Sequence, residues 1–173
     1  MNYLYYGTFL ANLALAIAGL CVQSKLVAVQ FDFGGHPTSW ALRESAATLA
    51  LGTTVLLFVI LQASWTLIVK LPPKLVNLPH KDYWLREENH PAAKARYTIC
   101  IRSLGTVVFA FLLYLGAFTL QANLSETVKL NPVAPWVGLW LLGSYLIYWI
   151  IRFHRMFRIP GEQNVQDSDR PVL

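Results

Sequence analysis

The side chains that could take part in chemistry are concentrated in two polar stretches of this chain. The larger group contains three carboxylates and two imidazoles: His80, Asp82, Glu87, Glu88 and His90. Carboxylate and imidazole groups are ligands for divalent metals. Five basic residues accompany them between Lys74 and Arg96, and such mixed charge is typical of a solvated face. The pattern therefore favours a solvated surface over a metal site.

Asp32 and His36 form the second group, in the stretch Asp–Phe–Gly–Gly–His. Paired glycines are typical of a turn, although the acid and the imidazole could also bind a ligand. The chain has no glycine-rich phosphate loop, no histidine pair at metal spacing on a helix and no cysteine pair spaced for zinc. The sequence therefore predicts no catalytic residues, no cofactor and no metal, and a protein that is not an enzyme.

The two polar stretches lie between four long segments that are almost free of charge. Hydrophobic residues make up 55% of the 173 residues and charged residues 13%, against about 25% charged residues in typical soluble proteins. This pattern predicts an all-α integral membrane protein with transmembrane helices at about 5–22, 47–69, 98–121 and 132–153. The net charge of +5 comes from basic residues mainly at helix ends, where anionic lipid is a better partner than nucleic acid.

We expect the four transmembrane helices to pack as two hairpins in one bundle, so that residues 1–158 form a single domain. Residues 159–173 are polar and lack periodicity, which predicts a disordered cytoplasmic tail. Small residues of the first span fall on one helical face, at Gly7, Ala11, Ala14 and Ala18. Such a face permits close approach of another helix, although abundant alanine would give the same spacing.

The first outer loop has a pattern of its own. An apolar residue recurs at every second position, at Val27, Val29, Phe31 and Phe33. This period of two predicts a short extended segment with one apolar face. Thr38 or Ser39 is then the expected N-cap of the second long helix, with Trp40 as an interfacial anchor.

Basic residues are distributed unequally between the two sides of the predicted bundle. Of the fourteen Lys and Arg residues, three fall in outer loops and eleven on the other side, which includes the connector at residues 71–97. By the positive-inside rule, both termini and the connector are expected to lie in the cytoplasm. Arg102 is expected either to reach the cytoplasmic interface or to pair with a carboxylate of the connector.

Two stretches resemble motifs of a bacterial family of membrane domains. Residues 27–40, VAVQFDFGGHPTSW, are similar to a segment that follows the first transmembrane helix of that family, and they match it at Phe31, Gly35, Pro37 and Trp40. Gln30 stands where that segment has histidine, and His36 fills a variable position. Residues 76–85, VNLPHKDYWL, resemble an inner-loop motif and match it at Asn77, Pro79, Lys81, Asp82, Tyr83, Trp84 and Leu85, with His80 in place of an asparagine.

The chain thus resembles short four-helix membrane proteins related to the SdpI-type immunity family. The resemblance covers most of residues 1–155 and implies a four-helix fold. The best-known relatives protect a bacterium from a secreted killing factor and can sequester a repressor at the membrane. The resemblance therefore implies immunity-like binding and assigns no role to any single residue.

The sequence predicts a non-enzymatic inner-membrane protein that senses or binds something through two loop sites. The outer-loop site comprises Phe31, Asp32, Gly35, His36, Pro37 and Trp40, and the inner-loop site comprises Asn77, Pro79, Lys81, Asp82, Tyr83 and Trp84. Both motifs could instead fix the shape of their loops. The expected partners are the lipid bilayer and another membrane protein or a second copy of this chain. The alternatives are an accessory subunit of a larger membrane enzyme or transporter complex, and an enzyme acting on lipid or metal at the connector.

Overall fold

The computed structural model describes residues 2–159, which form four long helices, one β-hairpin and several short helical turns. In chain order the elements are α1 (Asn2–Val22), β1 (Leu26–Phe31), β2 (Pro37–Leu42), α2 (Arg43–Lys70), a 3-10 turn (Pro73–Leu75), α3 (Lys81–Trp84), a second 3-10 turn (Glu87–Asn89), α4 (His90–Leu124) and α5 (Ala134–Met156). From residue 160 onward, the tail that was predicted to be disordered lies outside the described residues.

The four long helices are long and apolar enough to cross a membrane, which agrees with a multi-pass membrane protein. Three of them begin before the predicted spans, because α1 starts at Asn2, α2 at Arg43 and α4 at His90. At about 1.5 Å per residue, α4 measures roughly 52 Å, against about 30 Å for the hydrocarbon core of a bilayer. Its polar first turns therefore continue into the connector. Pro91 permits this start, since the first helical turn needs no N–H from that residue.

The bundle is organised around α4, which packs against each of the other three long helices. We call one end of the bundle the hairpin end, with β1, β2 and residues 125–133, and the opposite end the connector end, with residues 71–89. Asn12 of α1 donates from Nδ2 to the carbonyl oxygen of Phe109 at 2.8 Å. Trp149 of α5 donates from Nε1 to the carbonyl oxygen of Cys100 at 2.9 Å. Such interhelical bonds are worth only about 0.6 kcal/mol each, so they mainly fix how the helices are rotated.

The side of α1 that packs in this bundle is not the predicted small-residue face. The buried residues of α1 are Tyr5, Asn12 and Gly19, whereas a Cβ added at Gly7 would meet nothing within 4 Å. The Tyr5 ring is fully buried and stacks on Phe58, with ring centroids 5.8 Å apart. Burial of large aromatic rings removes much more apolar area from solvent than burial of alanine. The small-residue face of α1 is thus left without a neighbouring helix from the described chain.

The predicted extended segment is confirmed, but it is half of a two-stranded sheet. β1 pairs antiparallel with β2, from Leu26 opposite Leu42 to Phe31 opposite Pro37. The predicted N-cap at Thr38 or Ser39 is wrong, because both residues lie in β2 and α2 begins only after Leu42. Trp40 therefore sits in a strand of the hairpin.

The strict alternation predicted for β1 is also wrong. The pairing register shifts on both sides of Gln30, and an irregularity of this kind changes which side chains face the protein. Val27 and Ala28, two neighbours in sequence, are both buried, whereas Val29 is exposed. The buried pair packs at the hairpin end of the bundle.

Candidate binding site at the hairpin end

The turn between β1 and β2 is built by Asp32. Its Oδ1 accepts the N–H of His36 at 2.8 Å, and its own N–H donates to the carbonyl oxygen of His36 at 2.9 Å. The N–H of Gly35 donates to the carbonyl oxygen of Asp32 at 3.0 Å. The imidazole of His36 lies 3.4 Å from Oδ2 of Asp32 and both side chains are exposed. The two residues therefore close a turn, which is the interpretation that the paired glycines favoured.

A pH dependence follows from this turn. The backbone N–H of His36 that bonds the Asp32 carboxylate holds the pKa of that carboxyl below its usual value. A lowered folded-state pKa means that the turn is fully stabilised above the pKa of an unfolded aspartate, about 3.9, and loses this stabilisation as the pH falls through the folded pKa. NMR titration of the Asp32 carboxyl carbon in detergent is expected to give a midpoint below 3.9. A midpoint at or above that value would show that the turn is not held in this way.

The turn is docked on the loop between α4 and α5. The N–H of Leu130 donates to the carbonyl oxygen of Gly35 at 2.8 Å. Gly35 has a φ of +83°, and a Cβ built there would lie 1.9 Å from the carbonyl oxygen of Leu130. The Phe33 ring stacks on Trp136 with ring centroids 6.1 Å apart. Gly35 therefore serves both the turn conformation and the close contact between the two loops.

Asn123, at the end of α4, holds β1 from the other side. Its Oδ1 accepts the N–H of Ala28 at 2.7 Å, and its Nδ2 donates to the carbonyl oxygen of the same residue at 3.0 Å. The side-chain amide thus reproduces the paired bonds of an antiparallel neighbour strand. A third bond, from Nδ2 to the carbonyl oxygen of Thr119 at 3.0 Å, fixes the side chain on its own helix.

Replacing Asn123 with alanine is expected to loosen β1 without unfolding the bundle. The Ala28 N–H loses its acceptor, so its hydrogen-exchange rate should rise about tenfold or more, since one bond is worth about 1 kcal/mol and its loss exposes a donor. Exchange measured on the full chain in detergent checks this. Asn131→Ala is the matched control, because within residues 2–159 the Asn131 side chain bonds the nearby N–H of Val133 and no residue of β1. Equal exchange of Ala28 in both variants would contradict the role of Asn123.

A cavity of about 340 Å³ lies below β1, between α1, α2 and α4. Small-molecule sites typically have volumes of about 300–1,000 Å³. Small and aliphatic side chains form most of its wall, and the polar side chains that line it are Asn12, Gln23, Thr53, Thr54, Thr119 and Asn123. None of the lining residues in the described chain is charged. Because a buried charge without a partner is costly, the cavity suits an uncharged occupant.

Two polar side chains of the cavity wall have their donors already bonded within the protein. The two N–H groups of the Asn12 amide donate to the carbonyl oxygens of Thr8 and Phe109, both at 2.8 Å, so only its Oδ1 can meet a ligand. The hydroxyl of Thr54 donates to the carbonyl oxygen of Ala50 at 2.8 Å, which leaves the Oγ1 lone pairs. An uncharged molecule that offers a hydroxyl or amide hydrogen could donate it to either of these oxygens.

None of the six predicted outer-loop residues lines this cavity. Phe31, Asp32, Gly35, His36, Pro37 and Trp40 form the turn and the strand ends, and the hairpin reaches the cavity through Val27, Ala28 and Val29 instead. Sequence reasoning missed the cavity. One available signal was the helical spacing of small residues on α2, namely Ala46, Ala47, Ala50, Thr53 and Thr54.

Trp84, from the inner-loop motif, is the centre of a packed cluster at the connector end. It is 1% exposed, and its Nε1 donates to the carbonyl oxygen of Phe157 at 2.7 Å. The guanidinium of Arg96 lies over the Trp84 ring, 4.6 Å from its centroid, and also donates to the carbonyl oxygen of Met156. These donors satisfy carbonyls that the end of α5 would otherwise leave unpaired. The other buried members are Val76, Leu78, Ala93, Tyr97 and Phe157.

The remaining inner-loop residues surround this cluster. The Tyr83 ring meets Trp84 edge-on, with ring centroids 5.0 Å apart, and the Tyr83 carbonyl oxygen accepts Nδ2 of Asn89 at 2.9 Å. Asn77 and Asp82 are exposed, whereas Pro79 and Lys81 are half-buried. The structure therefore brings Tyr83 and Trp84 together in a packed core and leaves Asn77 and Asp82 at the surface.

The carboxylates and imidazoles of the connector are not gathered around a common point. Within residues 2–159, no three His, Cys, Asp or Glu side chains are placed to hold a metal ion. Nε2 of His90 lies 2.9 Å from the carbonyl oxygen of Leu85, and Arg86 lies 3.9 Å from Glu88. These groups bond their own connector.

Comparison of the chain with known protein families, with curated proteins and with solved structures gave no match. Function is therefore inferred from the geometry above, and the motif resemblance remains an expectation.

Proposed function

We propose that this chain is a non-enzymatic, multi-pass protein of a bacterial inner membrane that binds an uncharged, mostly apolar molecule bearing a hydroxyl group. The binding site is the cavity below β1. Binding there would serve sensing or immunity, the role that the resemblance to the SdpI-type immunity family implies. The lipid bilayer and a second membrane protein or copy of the chain are its expected partners, without nucleic acid.

The cavity is the observation that carries this proposal. Its volume fits a small molecule, its uncharged wall disfavours ions, and the oxygens of Asn12 and Thr54 call for a hydrogen-bond donor. The turn that Asp32 closes and the bonds between the Asn123 side chain and Ala28 hold β1 over the cavity. The loop motif would thus act by positioning the strand that covers the ligand.

The orientation of the protein forms part of the same proposal. The connector end faces the cytoplasm and the hairpin end faces outward, because eleven of the fourteen Lys and Arg residues belong to the connector side. The chain inserts as two helical hairpins, α1 with α2 and α4 with α5. Ligands then reach the cavity from the outer leaflet or from outside the cell.

Dodecanol is a suitable probe, because it is uncharged, apolar and carries one hydroxyl. A ligand that binds only the folded state stabilises it by an amount that grows with its concentration, so dodecanol should raise the unfolding temperature of the full chain in mild detergent. Ala50→Phe should abolish this rise, since Ala50 lines the cavity and is itself exposed. Leu56→Phe is the matched control on α2, because Leu56 is 60% exposed and does not line the cavity.

Dodecanoate and dodecylamine, which have the same chain length and carry a charge, are expected to stabilise the protein less. If both α2 variants respond to dodecanol as the unsubstituted chain does, the alcohol acts through the detergent and the cavity is not its site. If the charged probes stabilise the protein equally, the uncharged class of ligand is wrong.

An accessory subunit of a larger membrane complex is the second candidate function. The small-residue face of α1 favours it, because Gly7, Ala14 and Ala18 are exposed on the bundle and such faces let helices approach closely. Purification of the tagged chain in mild detergent tests this. A stoichiometric partner that survives washing, and that Gly7→Leu releases, would support the subunit; a chain that elutes alone would count against it.

A further inference from the structure

Arg102 lies between α1 and α4 at the connector end, where no carboxylate of residues 2–159 pairs with it. Its Nη1 donates to Oδ1 of Asn2 at 2.7 Å, and its guanidinium lies 6.0 Å from the centroid of the Tyr6 ring. The ion pairs found within residues 2–159 involve other residues. The predicted pairing with a carboxylate of the connector is therefore not formed, and the positive charge has only neutral neighbours among its direct partners.

The protein also leaves part of the hydrogen-bonding capacity of this cluster unused. Nε of Arg102 and the hydroxyl of the neighbouring Tyr5 are buried without a hydrogen-bond partner among residues 2–159. By contrast, the Arg102–Asn2 bond lies at the exposed edge of the cluster. Since Oδ1 of Asn2 accepts the guanidinium, the two N–H groups of its Nδ2 remain as further donors. The exposed edge thus offers a positive charge and neutral donors, and no acidic group from the part of the chain that the structure describes.

The surrounding aromatic residues place this edge at the level of the lipid headgroups. Tyr3 is 92% exposed and Tyr6 37% exposed at the start of α1. On α5, Tyr148 is exposed beside Trp149, which bonds the carbonyl of Cys100, two residues before Arg102 on α4. Exposed tyrosine and tryptophan concentrate where a membrane protein meets the headgroup region.

We propose that Arg102 and Asn2 bind the phosphate of an anionic lipid at the connector end. With Nε buried and one N–H of Nη1 bonded to Asn2, the guanidinium can donate to two phosphate oxygens through Nη2 and the second N–H of Nη1, and the Asn2 amide can donate to a third. The cytoplasmic leaflet carries the anionic lipids that would supply this phosphate. This site is separate from the cavity at the hairpin end, so an experiment can refute one of the two proposed sites without affecting the other.

Native mass spectrometry of the full chain in mild detergent, titrated with phosphatidylglycerol, tests this proposal. Arg102→Gln should weaken lipid binding about tenfold or more, since it removes a charged hydrogen-bonding partner. Arg155→Gln is the matched control, because Arg155 is an exposed arginine at the same end of the bundle. Arg102→Lys keeps the charge and should retain part of the affinity, and Asn2→Ala should lose a smaller part.

Several outcomes would overturn the proposal. Equal lipid binding by Arg102→Gln and Arg155→Gln would mean that the basic end attracts lipid without a defined site. Displacement of the lipid by excess inorganic phosphate, with phosphate binding lost in Arg102→Gln, would make this a site for free phosphate. If Arg102→Gln does not fold, the comparison of Asn2→Ala with Arg155→Gln decides, and equal affinities in that pair would refute the site.

Discussion

Replacing Gly35 with alanine is expected to detach the β-hairpin from the loop between α4 and α5. The new Cβ would lie 1.9 Å from the carbonyl oxygen of Leu130, and the backbone at Gly35 has a φ of +83°. Left-handed backbone costs an L-residue about 1–2 kcal/mol, and overpacking costs about 1–3 kcal/mol. We therefore expect a loss of roughly 3 kcal/mol at this contact.

The measurable consequence is faster hydrogen exchange at the Leu130 N–H, which donates to Gly35 at 2.8 Å, together with greater protease sensitivity of the hairpin. Gly34→Ala is the matched control. A Cβ at Gly34 would approach the side chain of His36 at 3.0 Å, and that exposed ring can move away. Equal behaviour of the two variants would mean that the hairpin is not docked through Gly35.

Trp84→Ala is expected to be the most destabilising single change at the connector end. It removes a 1% exposed indole, and large aromatic-to-alanine changes in a core cost about 3–5 kcal/mol. It also leaves the carbonyl of Phe157 without its donor and removes the ring beneath Arg96. The check is the unfolding transition of the full chain in mixed detergent micelles, with tryptophan fluorescence or circular dichroism as the signal.

Two further variants separate packing from hydrogen bonding at Trp84. Trp84→Phe keeps an aromatic ring and loses the Nε1 donor, so it should cost about 1–3 kcal/mol. Trp140→Ala removes an indole that is 76% exposed and should change the stability by less than about 0.5 kcal/mol. If Trp84→Ala were as stable as Trp140→Ala, the connector would not be packed on α5 as described.

The long helices were predictable from sequence because their signal is local. Each is a continuous apolar run, and the predicted starts at 47 and 98 were late only because the polar ends at Arg43 and His90 remain helical. β2 was not predictable in the same way. Thr38 and Ser39 next to an apolar run have the composition of an N-cap, and only pairing with β1 makes them part of a strand.

The candidate site was harder to predict, because it depends on contacts between distant parts of the chain. Asn123 bonds Ala28 across 95 residues of sequence, and Gly35 meets Leu130 across a comparable interval. The cavity is the space left between α1, β1, α2 and α4. No local sequence pattern indicates such a space. Of the motif residues, Trp84 is packed in a buried cluster, and Gly35 forms a turn in close contact with Leu130.

If the cavity below β1 holds an uncharged apolar molecule, as proposed, that molecule should co-purify with the chain. The full chain would be purified from its native membrane in mild detergent and extracted with organic solvent for mass spectrometry. We predict that the unsubstituted chain and Leu56→Phe carry a stoichiometric amount of one uncharged, hydroxyl-bearing compound and that Ala50→Phe carries none. The same compound in equal amounts in all three samples, or no such compound in any, would contradict the claim.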